Sequence, residues 1–167
     1  MAYLSATVLA QGDANYLSAI QRSRRMLNRR ALVAAAASVV PVPGLDWAVD
    51  AALLTRLLPH ISAEFGLSPA QLDQLDPKKR ERVQKAVAMV GTVLIGKFIT
   101  RDLVLKAAKT VGLRLGAAQV AKFVPIAGQA FSAVMGYAAL RYLGEEHIKD
   151  CVRVARQAQL RLPAPTA

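Results

Sequence analysis

Residues 15–47 read NYLSAIQRSRRMLNRRALVAAAASVVPVPGLDW. The first 26 of these, Asn15 to Val40, contain neither proline nor glycine, carry Arg22, Arg24, Arg25, Arg29 and Arg30 in their front part, and become apolar from Ala31 with Ser38 the one polar residue. Alanine and leucine cost little on entering a helix, and nothing in the run breaks one, so it predicts a single long helix with a basic front half. The helix must stop at Pro41-Val42-Pro43-Gly44. Each proline removes a donor and disfavours helical geometry in the residue before it, and glycine permits a tight reversal. A second helix is expected from about Leu45 to Phe65, with Asp46 and Asp50 complementing the positive end of its dipole.

Beyond this hairpin, Gly66 closes the second helix. Ser68-Pro69 reads as an N-cap followed by proline at the first helical position of a short segment reaching Leu75, and Asp76-Pro77 repeats the signal. The next helix opens with Lys78, Lys79, Arg80, Arg82 and Lys85, turns apolar from Ala86 to Ile95, and is expected to continue or kink through Gly96 toward Thr100. A further helix is expected over 100–122, where Leu103, Ala107, Val111 and Leu115 recur at helical spacing. It stops at Val124-Pro125. A last helix should run from near Gly128 to Leu160, with a bend at Gly144 that leaves Glu145-Glu146-His147 solvated, before Pro163 and Pro165. No stretch alternates at strand period.

The corner recurs. Val40-Pro41-Val42-Pro43-Gly44-Leu45-Asp46-Trp47 and Val124-Pro125-Ile126-Ala127-Gly128-Gln129-Ala130-Phe131 share Val-Pro-aliphatic-any-Gly-any-any-aromatic. Either the chain uses a helix, a corner and a second helix twice, or the pattern is simply good chemistry for joining antiparallel helices. The expected fold is all-α: a compact bundle of about five to six helices built from two Pro-Gly-cornered hairpins. Residues 1–14 are expected as a flexible N-terminus, 15–162 as one helical domain and 163–167 as a disordered tail.

The 167 residues are 54% hydrophobic yet only 5% aromatic, with 22 Lys and Arg against 11 Asp and Glu, a net charge of +11. That excess creates a field attracting phosphate-bearing surfaces. Nucleic-acid readers interleave aromatic and amide side chains with their basic ones, whereas here the basic clusters adjoin long aliphatic runs, which favours anionic lipid over nucleic acid. Cys151 is the only cysteine, so no disulfide closes within the chain, and a reducing, cytoplasmic setting fits. The apolar first ten residues lack a basic leader, which argues against a cleaved signal peptide.

Phe123 to Leu140 holds 18 residues without a charge, near the ~20 that a spanning helix needs, although Pro125, Gly128 and Gln129 interrupt it. Gly128, Ser132 and Gly136 recur every four residues, a small-residue face that lets another helix approach. Three arrangements fit: a soluble core with peripheral membrane contact, a hairpin dipping into the bilayer, or no membrane role.

Apparent catalytic signals are weak. Gly91-Thr92-Val93-Leu94-Ile95-Gly96-Lys97 follows a phosphate-binding loop until Phe98 replaces the Ser or Thr that holds magnesium, and its context is helical. Asp46 and Asp50, one turn apart, suit dipole compensation better than a cation site. His60 and His147 have no partners at metal-ligand spacing. No elbow surrounds any serine. No catalytic residue, metal or cofactor is expected.

Pro41, Pro43, Gly44 and Asp46, then Ile61, Phe65 and Gly66, then Pro125 and Gly128 are the positions through which the chain resembles the GTPase-associated domain of YcjF-type bacterial inner-membrane proteins. The resemblance runs from about Ala31 to Leu143, and similar corners occur in EcsC-like proteins. It implies an all-helical module at the cytoplasmic face of the inner membrane that accompanies a GTPase, and it brings no catalytic residues. The expected function is therefore a non-catalytic membrane-associated accessory protein, with Arg22, Arg24, Arg25, Arg29, Arg30, Lys78, Lys79, Arg80, Arg82 and Lys85 as lipid or partner contacts. A soluble scaffold that binds a protein partner or self-associates is the alternative.

Overall fold

The computed structural model describes residues 5–37, 45–92 and 125–163. Among them the chain forms six helices and no strand: α1 (Ala6–Leu9), α2 (Ala14–Ala37), α3 (Leu45–Glu64), α4 (Pro69–Asp73), α5 (Pro77–Val90) and α6 (Pro125–Gln157). The all-α expectation holds. The corner residues Pro41, Pro43 and Gly44 lie outside the described residues, as does the helix expected over 100–122, so only the first of the two hairpins, α2 and α3, is described.

The helix ends follow the local chemistry of their sequences. Asp13 caps α2, its carboxylate accepting from the Asn15 and Tyr16 amides at 2.8 and 3.3 Å. Ser68 and Gln71 form a reciprocal capping box at the start of α4, with Pro69 in its first turn. Asp76 accepts from the Lys79 amide at 2.9 Å ahead of Pro77 in α5. At the end of α3, Gly66 takes φ +72° and the Leu67 amide donates back to the Ser62 carbonyl at 2.9 Å, a left-handed cap that glycine adopts without steric cost.

Two helices depart from the sequence expectation. The helix opening at Lys78 does not run on through Gly96. It ends at Val90, because Gly91 turns left-handed at φ +71° and its amide bonds the Val87 carbonyl. The last helix starts at Pro125 rather than near Gly128, since proline's missing amide costs nothing at a first helical position. It also passes unbroken through Gly144. The stretch expected as a flexible N-terminus contains α1, whose Ala6 and flanking Ala10 are fully buried.

The long helix α6 packs against α1, α2, α3 and α5. It runs antiparallel to α2, as three pairings fix: Arg141 donates to Asn28, Arg24 pairs with Glu145, and Tyr16 donates to the Leu160 carbonyl at 3.4 Å. α3 is also antiparallel to α2 and lies alongside it, Arg22 bonding Glu64 at 2.7 Å. α3 and α6 are therefore parallel. Their interior is filled by Ile20, Leu27, Ile61, Phe65, Leu67, Leu140, Ile148 and Val152, all fully or almost fully buried. At the end of α6, Arg156 ties down α1 by donating to the Leu9 and Ala10 carbonyls at 3.2 and 2.5 Å, and its guanidinium lies 5.6 Å from the Tyr16 ring centre.

At Gly144 the Leu27 side chain of α2 occupies the space a Cβ on α6 would take. A Cβ there would stand 2.6 Å from Leu27 Cδ2 and 3.1 Å from its Cγ, and Leu27 is fully buried. The residue read from the sequence as a bend is instead a notch. Gly144→Ala should therefore lower the unfolding free energy by about 1–2 kcal/mol, seen as a lower denaturant midpoint, because overpacking outweighs the ~1 kcal/mol that alanine gains in a helix. A rise in the midpoint would show that Leu27 yields and the notch is not needed.

Candidate functional site

Two buried polar side chains, Ser62 and His147, meet where α3 packs against α6. Leu140, Gly144, His147, Ile148, Cys151 and Ala155 recur at three- and four-residue spacing, so His147 falls on the inward stripe of α6. It is 1% exposed. This corrects the expectation that Glu145-Glu146-His147 forms a solvated bend: the two glutamates pair with Arg24 and Lys149 at the helix edge, and the histidine turns inward. Its Nε2 lies 3.0 Å from Ser62 Oγ on α3 and 3.6 Å from Cys151 Sγ one turn along. Nδ1 has no partner at hydrogen-bond geometry, and the nearby Leu58 backbone only slightly favours its protonated form.

Serine, histidine and cysteine in one cluster resemble the parts of a nucleophilic site, but their surroundings oppose that chemistry. Burial pushes the His147 pKa down to about 4, so the ring is neutral, and burial pushes the Cys151 thiol far above its ordinary value. A thiolate does not form there. Ser62 is 3% exposed and Cys151 fully enclosed, so a substrate would meet neither. The arrangement suits a polar clasp between α3 and α6. Nearby, burial raises the Asp150 carboxyl. Arg153 bonds it at 3.1 Å, and the Thr92 hydroxyl lies near enough to temper the shift without reaching full hydrogen-bond geometry. Among the described residues, no group of three His, Cys, Asp or Glu could hold a metal ion.

The basic residues divide more informatively. Arg22 and Arg24 are half-buried and bound to Glu64 and Glu145, where they hold the bundle together. On the α4–α5 side, Lys79 pairs with Asp76, Arg80 with Asp73 and Lys85 with Glu81, while Arg82 donates to Gln159. Lys78 is exposed. In contrast Arg25, Arg29 and Arg30 on α2 and Arg56 on α3 are exposed, and no carboxylate of the described residues reaches them. Arg56, which the sequence reading did not single out, stands eight residues before Glu64. Arg30 stands eight after Arg22, so the antiparallel Arg22–Glu64 bond brings Arg56 and Arg30 to the same height, about 12 Å above it. Arg141, bonded to Asn28, lies at that height too. Its signal was present in the sequence only as the charge that ends the apolar run of α6.

Past this level the three helices carry little but apolar residues. Ala31 to Ala37 on α2 and Pro125 to Leu140 on α6 have no charge, and residues 45–55 on α3 have only Asp46 and Asp50. The exposed face of α2 changes character within one turn, from Arg25 and Arg29 to Leu32 and Val33, which are 62% and 60% exposed. Tyr142, also exposed, sits beside Arg141. The Lys78–Lys85 cluster lies at the other end of the bundle, where Arg82 reaches Gln159, about 25–30 Å along α6 from Arg141. The fold thus separates the two basic clusters that sequence reading grouped together. Gly128 lies in the first turn of α6 and Asp46 in that of α3, both at the apolar end.

No described helix is long and apolar enough to cross a membrane. Compared with family models, curated proteins and solved structures, the chain matches none.

The buried histidine yields a pH signature. The folded pKa of about 4 lies below the ordinary 6.5, so the unfolded chain takes up the proton first, and His147's contribution is lost as pH falls from about 6.5 to about 4. The full loss is about 3 kcal/mol, while the raised Asp150 pKa works in the opposite sense near the acid end. Urea unfolding across that range should show the decline in the native chain and a much flatter profile for His147→Gln. Parallel profiles would place the acid sensitivity elsewhere.

Proposed function

We propose that the chain is a non-catalytic, membrane-associated accessory protein that docks on anionic lipid. The observation supporting this is the exposed face of α2, where Arg25, Arg29 and Arg30, which no carboxylate of the described residues reaches, give way to exposed Leu32 and Val33. Exposed aliphatic side chains beside arginines that no described carboxylate offsets suit a partner offering both negative charge and apolar surface. An anionic bilayer satisfies both, phosphate meeting guanidinium and acyl chain meeting leucine. The net charge of +11 adds long-range attraction to such a surface. The polar cluster at His147 is enclosed and has no role beyond holding α3 to α6.

The resemblance to YcjF-type domains adds the cytoplasmic face of a bacterial inner membrane as the location and a GTPase as the companion. A soluble scaffold remains the second reading, because exposed Leu32 and Val33 would equally suit a protein partner or another copy of the chain.

Co-sedimentation with vesicles of anionic and of zwitterionic lipid separates these. The chain should pellet with the anionic vesicles and be released by salt. Polybasic residues contribute about 1 kcal/mol each at such a surface, so replacing Arg25, Arg29, Arg30 and Arg56 with Gln should weaken binding roughly 100- to 1000-fold. Four Gln substitutions at Lys78, Lys79, Arg82 and Lys85 should cost much less. Indifference to lipid charge and to salt would leave the scaffold reading standing.

A further inference from the structure

Building on the membrane reading, we infer that Arg29, His60 and Arg56 form a phosphate-binding groove between α2 and α3 that selects lipids whose headgroup is a phosphomonoester. The Arg22–Glu64 bond of 2.7 Å fixes the register of the two antiparallel helices and closes the lower end of this groove. Helical periodicity then places the rest. Arg29 follows Arg22 by two turns on the same side of α2, about 10 Å further on, while His60 and Arg56 precede Glu64 by about one and two turns, roughly 6 and 12 Å along α3 in the same direction. All three side chains are exposed. The helices stay together over this span, since Leu27 and Ala31 of α2 and Leu54, Leu57 and Leu58 of α3 are buried in one core. Packed helix axes lie about 8–10 Å apart, a gap that two arginines and an imidazole on facing walls can close around one phosphate.

His60 gives the groove its selectivity. Its Nδ1 lies 2.6 Å from the Arg56 carbonyl, which can only accept, so Nδ1 carries the proton and the neutral ring presents the lone pair of Nε2 away from the helix backbone. A phosphodiester offers such a nitrogen nothing but acceptor oxygens. A phosphomonoester, with a second pKa of about 6, also has a P–OH form, which donates to Nε2 while the other oxygens accept from Arg29 and Arg56. Passing that proton to Nε2 leaves a dianion among three cations. Glu64, the carboxylate at the lower end, is already bound by Arg22 and does not oppose the anion.

The surroundings point to a lipid as the source of the phosphate. Val33 stands one turn beyond Arg29 and is 60% exposed, and Leu32 beside it is 62% exposed. An acylated phosphate covers this aliphatic surface and a free one does not.

Vesicles matched in surface charge test the groove. Zwitterionic lipid is doped with phosphatidate or with phosphatidylglycerol to the same zeta potential, and co-sedimentation of the full chain is measured on each. Binding should be roughly tenfold tighter on phosphatidate, the effect of one hydrogen bond to a charged group. His60→Ala should bring the two affinities together without changing that for phosphatidylglycerol, and Lys78→Gln should leave their ratio as it is. Equal binding at matched charge, or a preference that survives His60→Ala, would overturn the groove and leave the membrane reading standing. Binding to neither vesicle would overturn both. A further arm titrates glycerol 3-phosphate, the soluble headgroup, against the ring resonances of His60, the one histidine that is not enclosed. A response there without vesicle binding would make the ligand a soluble phosphomonoester and overturn the lipid assignment.

Discussion

The close crossing of α2 and α6, with Leu27 seated where Gly144 has no side chain, fixes the register on which every other placement depends. Because a helix rises about 1.5 Å per residue, setting Leu27 opposite Gly144 also sets Asn28 near Arg141 and Arg24 near Glu145. Hydrogen bonds form at both. A slip of one turn would place Glu145 and the inward His147 at the wrong heights and leave charged groups unpaired against an apolar interior, a cost of several kcal/mol. The pairings are thus less a source of net stability than a penalty on alternative registers. The same crossing carries α3 into place, since Ser62 meets His147 one turn beyond the notch.

Much of this bundle was legible in the sequence. Helix starts at Ser68-Pro69 and Asp76-Pro77, the stop at Gly66 and the absence of strands follow from local chemistry that needs no tertiary partner. Gly144 and Gly91 show where local reasoning fails. Both are glycines within apolar helical patterns, yet one ends its helix through a left-handed turn and the other lies inside a continuous helix because a leucine from α2 fills its space. Only the packing partner distinguishes them. Read as a break, Gly144 makes the charges of Glu145 and Glu146 look like solvation and hides that His147 continues the inward stripe.

The candidate site shows the same division. The excess of arginine was plain from composition, but not which arginines are engaged. Arg22 and Arg24 are consumed by Glu64 and Glu145, partners 42 and 121 residues away that no local pattern reveals. Arg56, isolated in sequence, comes level with Arg30 and Arg141 only through the antiparallel pairing. Among the described residues the bundle is polarised along its length, with paired charge and short capped helices at one end, arginines that no described carboxylate reaches at a middle level and aliphatic sequence beyond.

Amide hydrogen exchange with and without anionic vesicles tests this polarity most directly, because it reads every segment in the same sample. The account predicts added protection in 25–33 and around residue 56, and unchanged exchange in 5–16, 77–85 and 156–163. Protection centred on Lys78–Lys85, or spread evenly along α2 and α6, would contradict it.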